Sequence, residues 1–531
     1  MVQMNLLFDD IEVIETSGDP AAVDVRGIAH DSRRVVPGDL FCCVPGALSD
    51  GHAFAAEAVD RGAVGLLCEH FVPELLDRPV VQTLIAPGTI RPVMARLAAA
   101  FYGFPARDLF TIGVTGTNGK TTVTRLLGEL LDATGRPTTV LGTLSGVRTT
   151  PEATELQGLL AEVRSRQLTD GRPHAVAMEV SSHALAQSRV EGIHFDVAAF
   201  TNLSHDHLDY HGTMEEYFAV KSSLFTADHA VRAVINADDP WGQRLLGKGR
   251  IPMVAVHRHD ASDVVLAPGR TWFTWRGHRV ATPLTGAVNV DNALLAAEVA
   301  LALGLEVPEI VAAFAHVSPA PGRFQVLSAP GAAGTTAAGT TAAGTTAAGT
   351  TAAGTTAGSP PFTVVVDYAH TPAGLEVVLR EARGLAGADG RVLVAFGCGG
   401  NRDREKRPKM GRVASLLSDV AVLTSDNPRD EDPLAIIEEV RAGVVDDAAL
   451  PSAFRVEPDR RAAIALVLEE ARAGDVVVIA GKGHEDYQEM GGVRLPFDDV
   501  VEARRALSAR FPADPSTWVA APSAEPTPEG E

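Results

Sequence analysis

A buried strand, a glycine-rich turn and an amphipathic helix follow one another between residues 109 and 135, and this segment constrains the fold most. The strand LFTIGV runs into the turn TGTNGKTT, which spans Thr115 to Thr122. Apolar residues then recur at helical spacing, at Val123, Leu126, Leu127, Leu130 and Leu131, and Gly135 is expected to end the helix. Such a turn at a helix start binds phosphate through backbone N–H groups. The segment predicts a P-loop, in which Lys120 contacts the β and γ phosphates and the Thr121 hydroxyl binds Mg2+.

The length and the apolar pattern predict three α/β domains. The chain has 531 residues, and a domain usually has about 100 to 200. Short apolar segments alternate with helical patterns, which is typical of parallel sheets covered by helices. We predict an N-terminal α/β domain over 1–107, a central P-loop ATPase-like domain with a mostly parallel sheet over 108–318, and a C-terminal Rossmann-like α/β domain over 319–510.

Composition argues against several classes of function. Lys and Arg total 46 against 67 Asp and Glu, and the net charge of -21 disfavours nucleic-acid binding. The amino terminus is acidic where a signal peptide is basic, and no apolar run reaches the ~20 residues that span a bilayer. We therefore expect a cytoplasmic protein without membrane insertion. The four cysteines, at 42, 43, 68 and 398, lack the spacing of a disulfide framework or a structural zinc site.

A low-complexity tract interrupts the third predicted domain. The sequence AAGTT occurs five times in succession from Ala332 to Thr356. The tract has no charge and no large side chain to bury, so we predict a disordered insertion over 331–360. The last residues, 511–531, are predicted to be a disordered tail.

The P-loop resembles that of the Mur ligase family, the ATP-dependent amide-forming ligases that build the peptide of peptidoglycan, and of the related folylpolyglutamate synthetases. The usual pattern G-x-x-x-x-G-K-[ST] has glycine where this chain has Val114, whereas the form T-G-T-N-G-K-T fits the family. Glu179 in AMEVSSHAL, His207 in TNLSHDHLDYHG and Lys221 in AVKSSLF match further family positions. The resemblance implies that Lys120, Glu179, His207 and Lys221 are catalytic. It also implies that Lys221 is carbamylated by CO2 and that Mg2+ is bound by Thr121, Glu179, His207 and the carbamate.

The same resemblance implies two further sets of contacts. ATP would be bound by Gly116, Thr117, Asn118, Gly119, Lys120, Thr121, Thr122, Asn289, Arg323 and Asp367. The segment His30-Asp31-Ser32-Arg33 resembles the UDP-binding domain of the ligases that add a diamino acid or D-alanyl-D-alanine. A UDP-muramoyl dipeptide would be bound by Ser32, Thr149, Thr150, Ser181, Gln187 and Arg189. Gln325 departs from the family, which usually has glutamate there.

The loops after two C-terminal strands predict the amino-acid substrate. The motif DNPR resembles that of family members that add meso-diaminopimelate, and the implied contacts are Arg402, Asp426, Asn427, Pro428, Arg429, Gly481 and Glu485. Diaminopimelate carries a carboxylate and an ammonium at its distal end. Arg429 and Arg402 can bind this carboxylate, and Asp426 and Glu485 can bind the ammonium. Lysine has no distal carboxylate and would leave a buried arginine unpaired.

The resemblance implies a monomeric ligase that uses ATP, Mg2+ and a lysine carbamate to join meso-diaminopimelate to UDP-N-acetylmuramoyl-L-alanyl-D-glutamate. Its partners would be these small molecules. Three alternatives stay open: a ligase that adds D-alanyl-D-alanine, a ligase that adds lysine, and a P-loop protein that binds ATP without catalysis.

Deletion of Ala332 to Thr356 is expected to leave turnover within a few fold and the melting temperature nearly unchanged. Lengthening a surface loop costs only about 0.6 kcal/mol per doubling. Steady-state kinetics and a thermal melt of the deleted protein check this. A collapse of rate or solubility would show that the tract packs or binds.

Overall fold

The computed structural model describes residues 1–46, 49–146, 148–328, 360–445 and 453–512. The AAGTT tract and the predicted tail from residue 513 onward lie outside these ranges. Among the described helices, none is long and apolar enough to cross a bilayer. The first compact unit holds Met1–Leu203, His211–Val256 and Leu295–Leu305, and the second holds Ser204–Tyr210, His257–Leu294 and the described residues from Glu306 onward. The domain boundaries predicted from the sequence stay predictions.

Three large sheets with covering helices confirm the α/β class, and the first lies in the N-terminal hundred residues. Its strand order is β2-β7-β6-β5-β4, parallel except for β2. This part of the chain contains β1 (Val2–Gln3), α1 (Met4–Leu7), β2 (Glu15–Thr16), β3 (Asp24–Val25), β4 (Gly27–Ala29), β5 (Asp39–Cys42), α2 (Ala55–Asp60), β6 (Gly65–Cys68), β7 (Val81–Leu84) and α3 (Ile90–Phe101). The strands β1 and β3 form a separate antiparallel pair. Short 3-10 helices occur along the chain at Pro20–Ala22, Ser32–Arg34, Gly51–Phe54, Pro73–Leu75, Pro105–Asp108, Ser223–Phe225, Arg258–Asp260 and Phe314–His316.

The second sheet is fully parallel, with the order β13-β12-β11-β8-β10-β9. Its elements are β8 (Phe110–Thr115), α4 (Lys120–Ala133), β9 (Thr138–Leu141), α5 (Ala153–Asp170), β10 (Ala175–Glu179), α6 (Ser182–Ala186), β11 (Phe195–Phe200), α7 (Leu208–His211), α8 (Met214–Ser222), β12 (Ala230–Asn236), α9 (Pro240–Leu246) and β13 (Met253–Val256). The register pairs Glu179 with Val114 and Phe200 with Thr115. The carboxyl ends of three neighbouring strands therefore lie side by side.

The helix predicted after the P-loop is α4, and its apolar face is buried as expected. All five predicted core residues are at most 1% exposed. The chain leaves the helix through Gly135, whose φ of +84° lies in the left-handed region that glycine adopts most readily. This packing fixes the helix start, and with it the phosphate loop, against the sheet.

The second unit contains a small antiparallel sheet that the sequence did not predict, with the order β14-β15-β16. The helix α10 follows this sheet in the chain. This part of the chain comprises β14 (Ala261–Ala267), β15 (Arg270–Trp275), β16 (His278–Thr282), α10 (Ala287–Ala302) and α11 (Val307–Ala313).

The third large sheet has the order β17-β18-β22-β19-β20-β21, in which only β17 is antiparallel. The elements are β17 (Gln325–Ser328), β18 (Thr363–Asp367), α12 (Pro372–Ala386), β19 (Val392–Phe396), α13 (Lys406–Leu417), β20 (Val420–Leu423), α14 (Pro433–Arg441), β21 (Ala453–Val456), α15 (Arg460–Glu470), β22 (Val476–Ala480), the hairpin β23 (Tyr487–Met490) and β24 (Val493–Pro496), and α16 (Asp499–Arg510). The motifs DYAH, GKGH, GCGG and SDNP follow the adjacent ends of β18, β22, β19 and β20. Phe511, at the start of the predicted tail, packs edge to face on Phe362.

Candidate active site

The phosphate loop of the first unit is tied to the end of β11. The hydroxyl of Thr201 donates to the carbonyl of Asn118 at 2.6 Å, and the N–H of Asn118 donates to the side chain of Asn202 at 3.0 Å. Gly116 has a φ of +147°, and a Cβ there would lie 1.9 Å from the Thr201 hydroxyl. Only glycine fits this position, because the loop and the next strand end approach so closely.

Two lysine ammonium groups converge on one carbonyl of this loop. Lys120 donates to the carbonyl oxygens of Gly116 and Thr117 at 3.0 and 2.8 Å. Lys221, in α8, is 1% exposed and donates to the same Gly116 oxygen at 2.8 Å. The structure thus brings both predicted catalytic lysines to the phosphate loop. The positive charge of Lys120 at the loop suits an anionic ligand.

Thr121 and Glu179 line one cavity of about 240 Å³. Glu179, the last residue of β10, is 1% exposed. Its Oε1 accepts the backbone N–H of Thr143 at 2.8 Å, and its Oε2 accepts the Thr143 hydroxyl at 3.3 Å. A predicted metal-binding carboxylate and hydroxyl therefore face a common space, and Thr143, which sequence reasoning missed, orients the carboxylate.

The residues predicted to bind the muramoyl peptide form one hydrogen-bonded group beside Glu179. The Thr150 hydroxyl donates to the Glu179 carbonyl at 2.8 Å and lies 3.3 Å from the Ser181 hydroxyl. Arg189 donates to the Thr150 carbonyl at 2.9 Å and to the side chain of Gln187 at 2.7 Å. Thr149 joins the group through the hydroxyl of Thr143 at 3.1 Å. The structure thus brings together five of the six residues predicted to bind the UDP-muramoyl dipeptide, and Ser32 is the sixth.

A buried glutamate that sequence reasoning missed holds Arg189. The carboxylate of Glu152 lies 2.8 Å from the guanidinium of Arg189, and Arg91 and Arg148 lie 3.8 and 3.7 Å from it. Three guanidinium groups around one carboxylate leave a positive balance, which suits a ligand with carboxylates or phosphates. Glu152 directly follows the motif Thr149-Thr150-Pro151, which was the available signal.

Neither Ser32 nor His207 belongs to the hydrogen-bonded group beside Glu179. Ser32 is buried in the first unit, and its hydroxyl donates to Glu57 at 2.8 Å. His207 belongs to the second unit, where its ring lies 3.3 Å from the carboxylate of Asp206 and its φ is +53°. The metal role predicted for His207 stays a prediction.

The predicted nucleotide contacts of the second unit surround the end of β18. Asp367 accepts the backbone N–H groups of Phe324 and Ala369 at 2.6 and 2.7 Å. Burial raises the pKa of the Asp367 carboxyl, although the nearby Arg323 opposes the rise. The guanidinium of Arg323 lies over the ring of Tyr368, 4.2 Å from its centre. Arg323 and Asp367 thus lie together at the end of β18, and their role in nucleotide binding stays a prediction.

Two other residues of this region form hydrogen bonds within the protein through their side chains. Asn289 is buried, and its side chain donates to the Thr285 carbonyl at 2.8 Å and accepts from Asn292 at 3.1 Å. Gln325, the departure from the family pattern, accepts the N–H of Gly322 at 2.9 Å. Gly322 is close to the next motif as well, since a Cβ there would lie 2.2 Å from the backbone of Gly483.

The predicted ammonium-binding carboxylates lie together at the ends of β20 and β22. Both approach the ammonium of Lys482 at 3.5 Å, and Asn427 donates to Glu485 at 2.8 Å. Burial alone would raise the pKa of Asp426, but Lys482 and Arg460 lower it overall. Burial and the charge of Asp426 raise the pKa of Glu485. Gly481 allows close approach, since a Cβ there would lie 3.0 Å from Asp426.

The two predicted carboxylate-binding arginines lie on either side of Gly399. A Cβ at Gly399 would lie 2.9 Å from a guanidinium nitrogen of Arg429 and 3.9 Å from Cγ of Arg402. Arg402 is exposed, whereas Arg429 donates to the Gly400 carbonyl at 2.8 Å. Arg429 has a φ of +54°, and its backbone bonds to Glu489 and Gly491 of the hairpin. Sequence reasoning missed this support.

Three family models match this chain. The Mur ligase family catalytic domain matches residues 24–102, the Mur ligase middle domain matches 114–300, and the Mur ligase glutamate ligase domain matches 354–483.

Individual relatives match almost the whole chain. A UDP-N-acetylmuramoyl-L-alanyl-D-glutamate--2,6-diaminopimelate ligase of Gloeobacter violaceus is 42% identical over 514 residues, which cover 92% of this chain and 95% of the relative. A solved structure of a ligase of the same name is 30% identical with a TM-score of 0.62, covering 96% of this chain and 99% of that chain. A MurF ligase from Thermotoga maritima in complex with ADP has the same fold at 17% identity, with a TM-score of 0.59 over 92% of this chain and 98% of that chain.

Replacing Lys120 with alanine is expected to weaken ATP binding and to lower turnover by roughly 100-fold or more, because a positioned cation at the transferred phosphate is lost. Calorimetric titration with ATP and a phosphate-release assay check this. Lys409→Ala, which removes a half-exposed lysine on α13, is the control and should retain both properties. Near-normal activity of the Lys120 variant would refute the phosphate assignment.

Proposed function

This chain belongs to the Mur ligase family, and on that premise we propose that it joins meso-diaminopimelate to the D-glutamate γ-carboxylate of UDP-N-acetylmuramoyl-L-alanyl-D-glutamate. The identity of the amino-acid substrate is inferred from the charged residues at the ends of β20 and β22. This group combines Asp426 and Glu485 with Arg429, and so offers partners for both an ammonium and a carboxylate. The product is a UDP-muramoyl tripeptide, a peptidoglycan precursor.

The reaction proceeds in two steps. The γ-phosphoryl group of ATP passes to the γ-carboxylate of D-glutamate, which gives an acyl phosphate and ADP. The free amine of diaminopimelate then attacks the acyl carbon and forms the C–N bond. The nitrogen loses a proton and the C–O bond to phosphate breaks, which gives the amide and inorganic phosphate. Lys120 and the N–H groups at the start of α4 hold the transferred phosphate and stabilise its charge. Arg189, oriented by Glu152, binds an anionic group of the muramoyl peptide.

The phosphate site fits Mg2+. The Thr121 hydroxyl and the Glu179 carboxylate are hard oxygen ligands, and both line the same cavity. When bound, Mg2+ would neutralise charge on the phosphates and on the oxygens of the reacting carboxylate. We also assign His207 to the metal, in line with the family motif that contains it.

Lys221 is proposed to act as a carbamate. A neutral amine adds to CO2, which forms an N–C bond, releases a proton and turns a cation into an anion. The position of Lys221 supports this proposal, because its side chain is buried against the Gly116 carbonyl of the phosphate loop. A carbamate at this position would offer oxygen ligands to a second cation beside the phosphates.

One assay tests the function against its alternatives. Phosphate release from ATP is measured with UDP-N-acetylmuramoyl-L-alanyl-D-glutamate and, in turn, meso-diaminopimelate, L-lysine or D-alanyl-D-alanine. We expect turnover with meso-diaminopimelate. Preference for lysine or for the dipeptide would reassign the acceptor, and no turnover with any of them would favour a non-catalytic ATP-binding protein.

Arg429→Ala is expected to lower kcat/KM for meso-diaminopimelate by roughly 30-fold to 5,000-fold, because a partly buried charge-assisted pair loses one partner. Lysine makes no such pair, so the preference for diaminopimelate should shrink toward unity. The two kcat/KM values are compared in parent and variant at fixed ATP. An unchanged ratio would make Arg429 a structural turn residue, a role that its left-handed backbone also fits.

Lys221→Ala is expected to remove most activity, and a short carboxylic acid in the medium should partly restore it if a carbamate is the working group. Lys221→Arg restores only positive charge and should stay inactive. Turnover of both variants is measured with and without added formate or acetate. A fully active arginine variant would rule out carbamylation.

A further inference from the structure

Lys482 is a fully buried lysine in the loop after β22. It is not among the residues predicted to bind diaminopimelate, and the mechanism above gives it no role. Its side chain is 0% exposed. The ammonium donates to Oδ1 of Asn427 at 2.9 Å and lies 3.5 Å from carboxylate oxygens of both Asp426 and Glu485. An internal cation therefore lies among three of the side chains proposed to hold the distal end of the acceptor.

The charges of this group leave a place for one more cation. With both carboxylates ionised, Asp426 and Glu485 carry two negative charges, and Lys482, the cation that approaches both of them, carries one positive charge. Lys406 also lowers the pKa of Asp426, but its ammonium donates to the His370 carbonyl and makes no ion pair with either carboxylate. Arg460 adds no net charge, because it is paired with Asp499 through two hydrogen bonds of 2.8 and 2.6 Å. Oδ1 of Asp426 is buried and accepts no hydrogen bond. This oxygen is the atom that lies 3.5 Å from the ammonium of Lys482, and it can accept a hydrogen bond from the amino-acid acceptor in addition to that ion pair.

Lys482 also fixes the orientation of Asn427. The amide oxygen of Asn427 accepts from Lys482 at 2.9 Å and from the N–H of Glu489 at 3.0 Å. Its amide nitrogen then donates to Glu485 at 2.8 Å. The ammonium and the Glu489 N–H together determine which end of the Asn427 side chain faces Glu485.

We propose that Lys482 is a positioning and specificity residue for the amino-acid acceptor, and that its buried charge favours an acceptor whose distal end carries a carboxylate as well as an ammonium. This inference rests on the proposed function. The physical reason is charge balance. One carboxylate is balanced by Lys482 and the other by the ammonium of the acceptor, so a distal carboxylate can be bound nearby without facing an excess of negative charge.

Removing the charge should change the choice between two acceptors. Without Lys482, the group carries two unbalanced carboxylates. The distal end of lysine is purely cationic, whereas that of diaminopimelate is zwitterionic. The variant should therefore lose more activity with diaminopimelate than with lysine. If Lys482 only supported the fold, its replacement would lower kcat/KM for both acceptors by the same factor.

The experiment compares Lys482→Met and Lys482→Arg with the parent and with the control Lys409→Met, in the full-length protein. We measure kcat/KM for meso-diaminopimelate and L-lysine at saturating ATP and UDP-muramoyl dipeptide, and KM for ATP. In Lys482→Met, the ratio of the two kcat/KM values should fall about tenfold or more. Lys482→Arg should keep the ratio within about threefold, and every variant should keep the parent KM for ATP within about twofold, since these substitutions leave the P-loop intact.

A ratio in Lys482→Met within about twofold of the parent would overturn the inference, whatever the absolute rates. If that variant folds by circular dichroism but is inactive, the ratio of calorimetric Kd values for the two acceptors decides in the same way. If it does not fold, Lys482→Gln replaces it. If the parent uses none of the acceptors, the proposed function itself fails, which is a different result from an unchanged ratio.

Discussion

The parallel pairing of β8 with β10 and β11 is the constraint on which the site of the first unit depends. The register sets Glu179 beside Val114 and Phe200 beside Thr115, so the phosphate loop, the carboxylate and the Thr201 tie begin at the same edge of the sheet. A shift of one residue in either pair would turn these side chains to the opposite face. The backbone hydrogen bonds of the sheet therefore fix the relative positions of the groups that form the site.

Charged groups in both units are held by counter-charges of their own unit. Arg189 is held by Glu152, and Asp426 and Glu485 are held by Lys482. Such pairs keep the side chains in place and lower the cost of orienting them when a ligand binds. They also set the net charge that each site presents, which is what selects one ligand over another.

Local patterns in the sequence predicted the strands, the P-loop, α4 and the grouping of loop residues at strand ends. They could not predict partners that are distant in the chain. Lys482 and Asn427 are 55 positions apart, and Glu152 and Arg189 lie on different elements, so periodicity contains no sign of either pair. Arg429 was interpreted as a side chain ready to bind a carboxylate. Its left-handed backbone and its bonds to the hairpin depend on a turn that the sequence analysis did not identify.

The contact between Gly322 and Gly483 has an evolutionary consequence. A Cβ on Gly322 would lie 2.2 Å from the backbone of Gly483, and one on Gly483 would lie 2.7 Å from the carbonyl oxygen of Gly322. Neither glycine can acquire a side chain unless the other loop moves. A substitution of either glycine is therefore tolerated only together with a shift of the opposite loop, so the loop that contains Arg323 and the loop that contains Lys482 are coupled in the substitutions that they can accept.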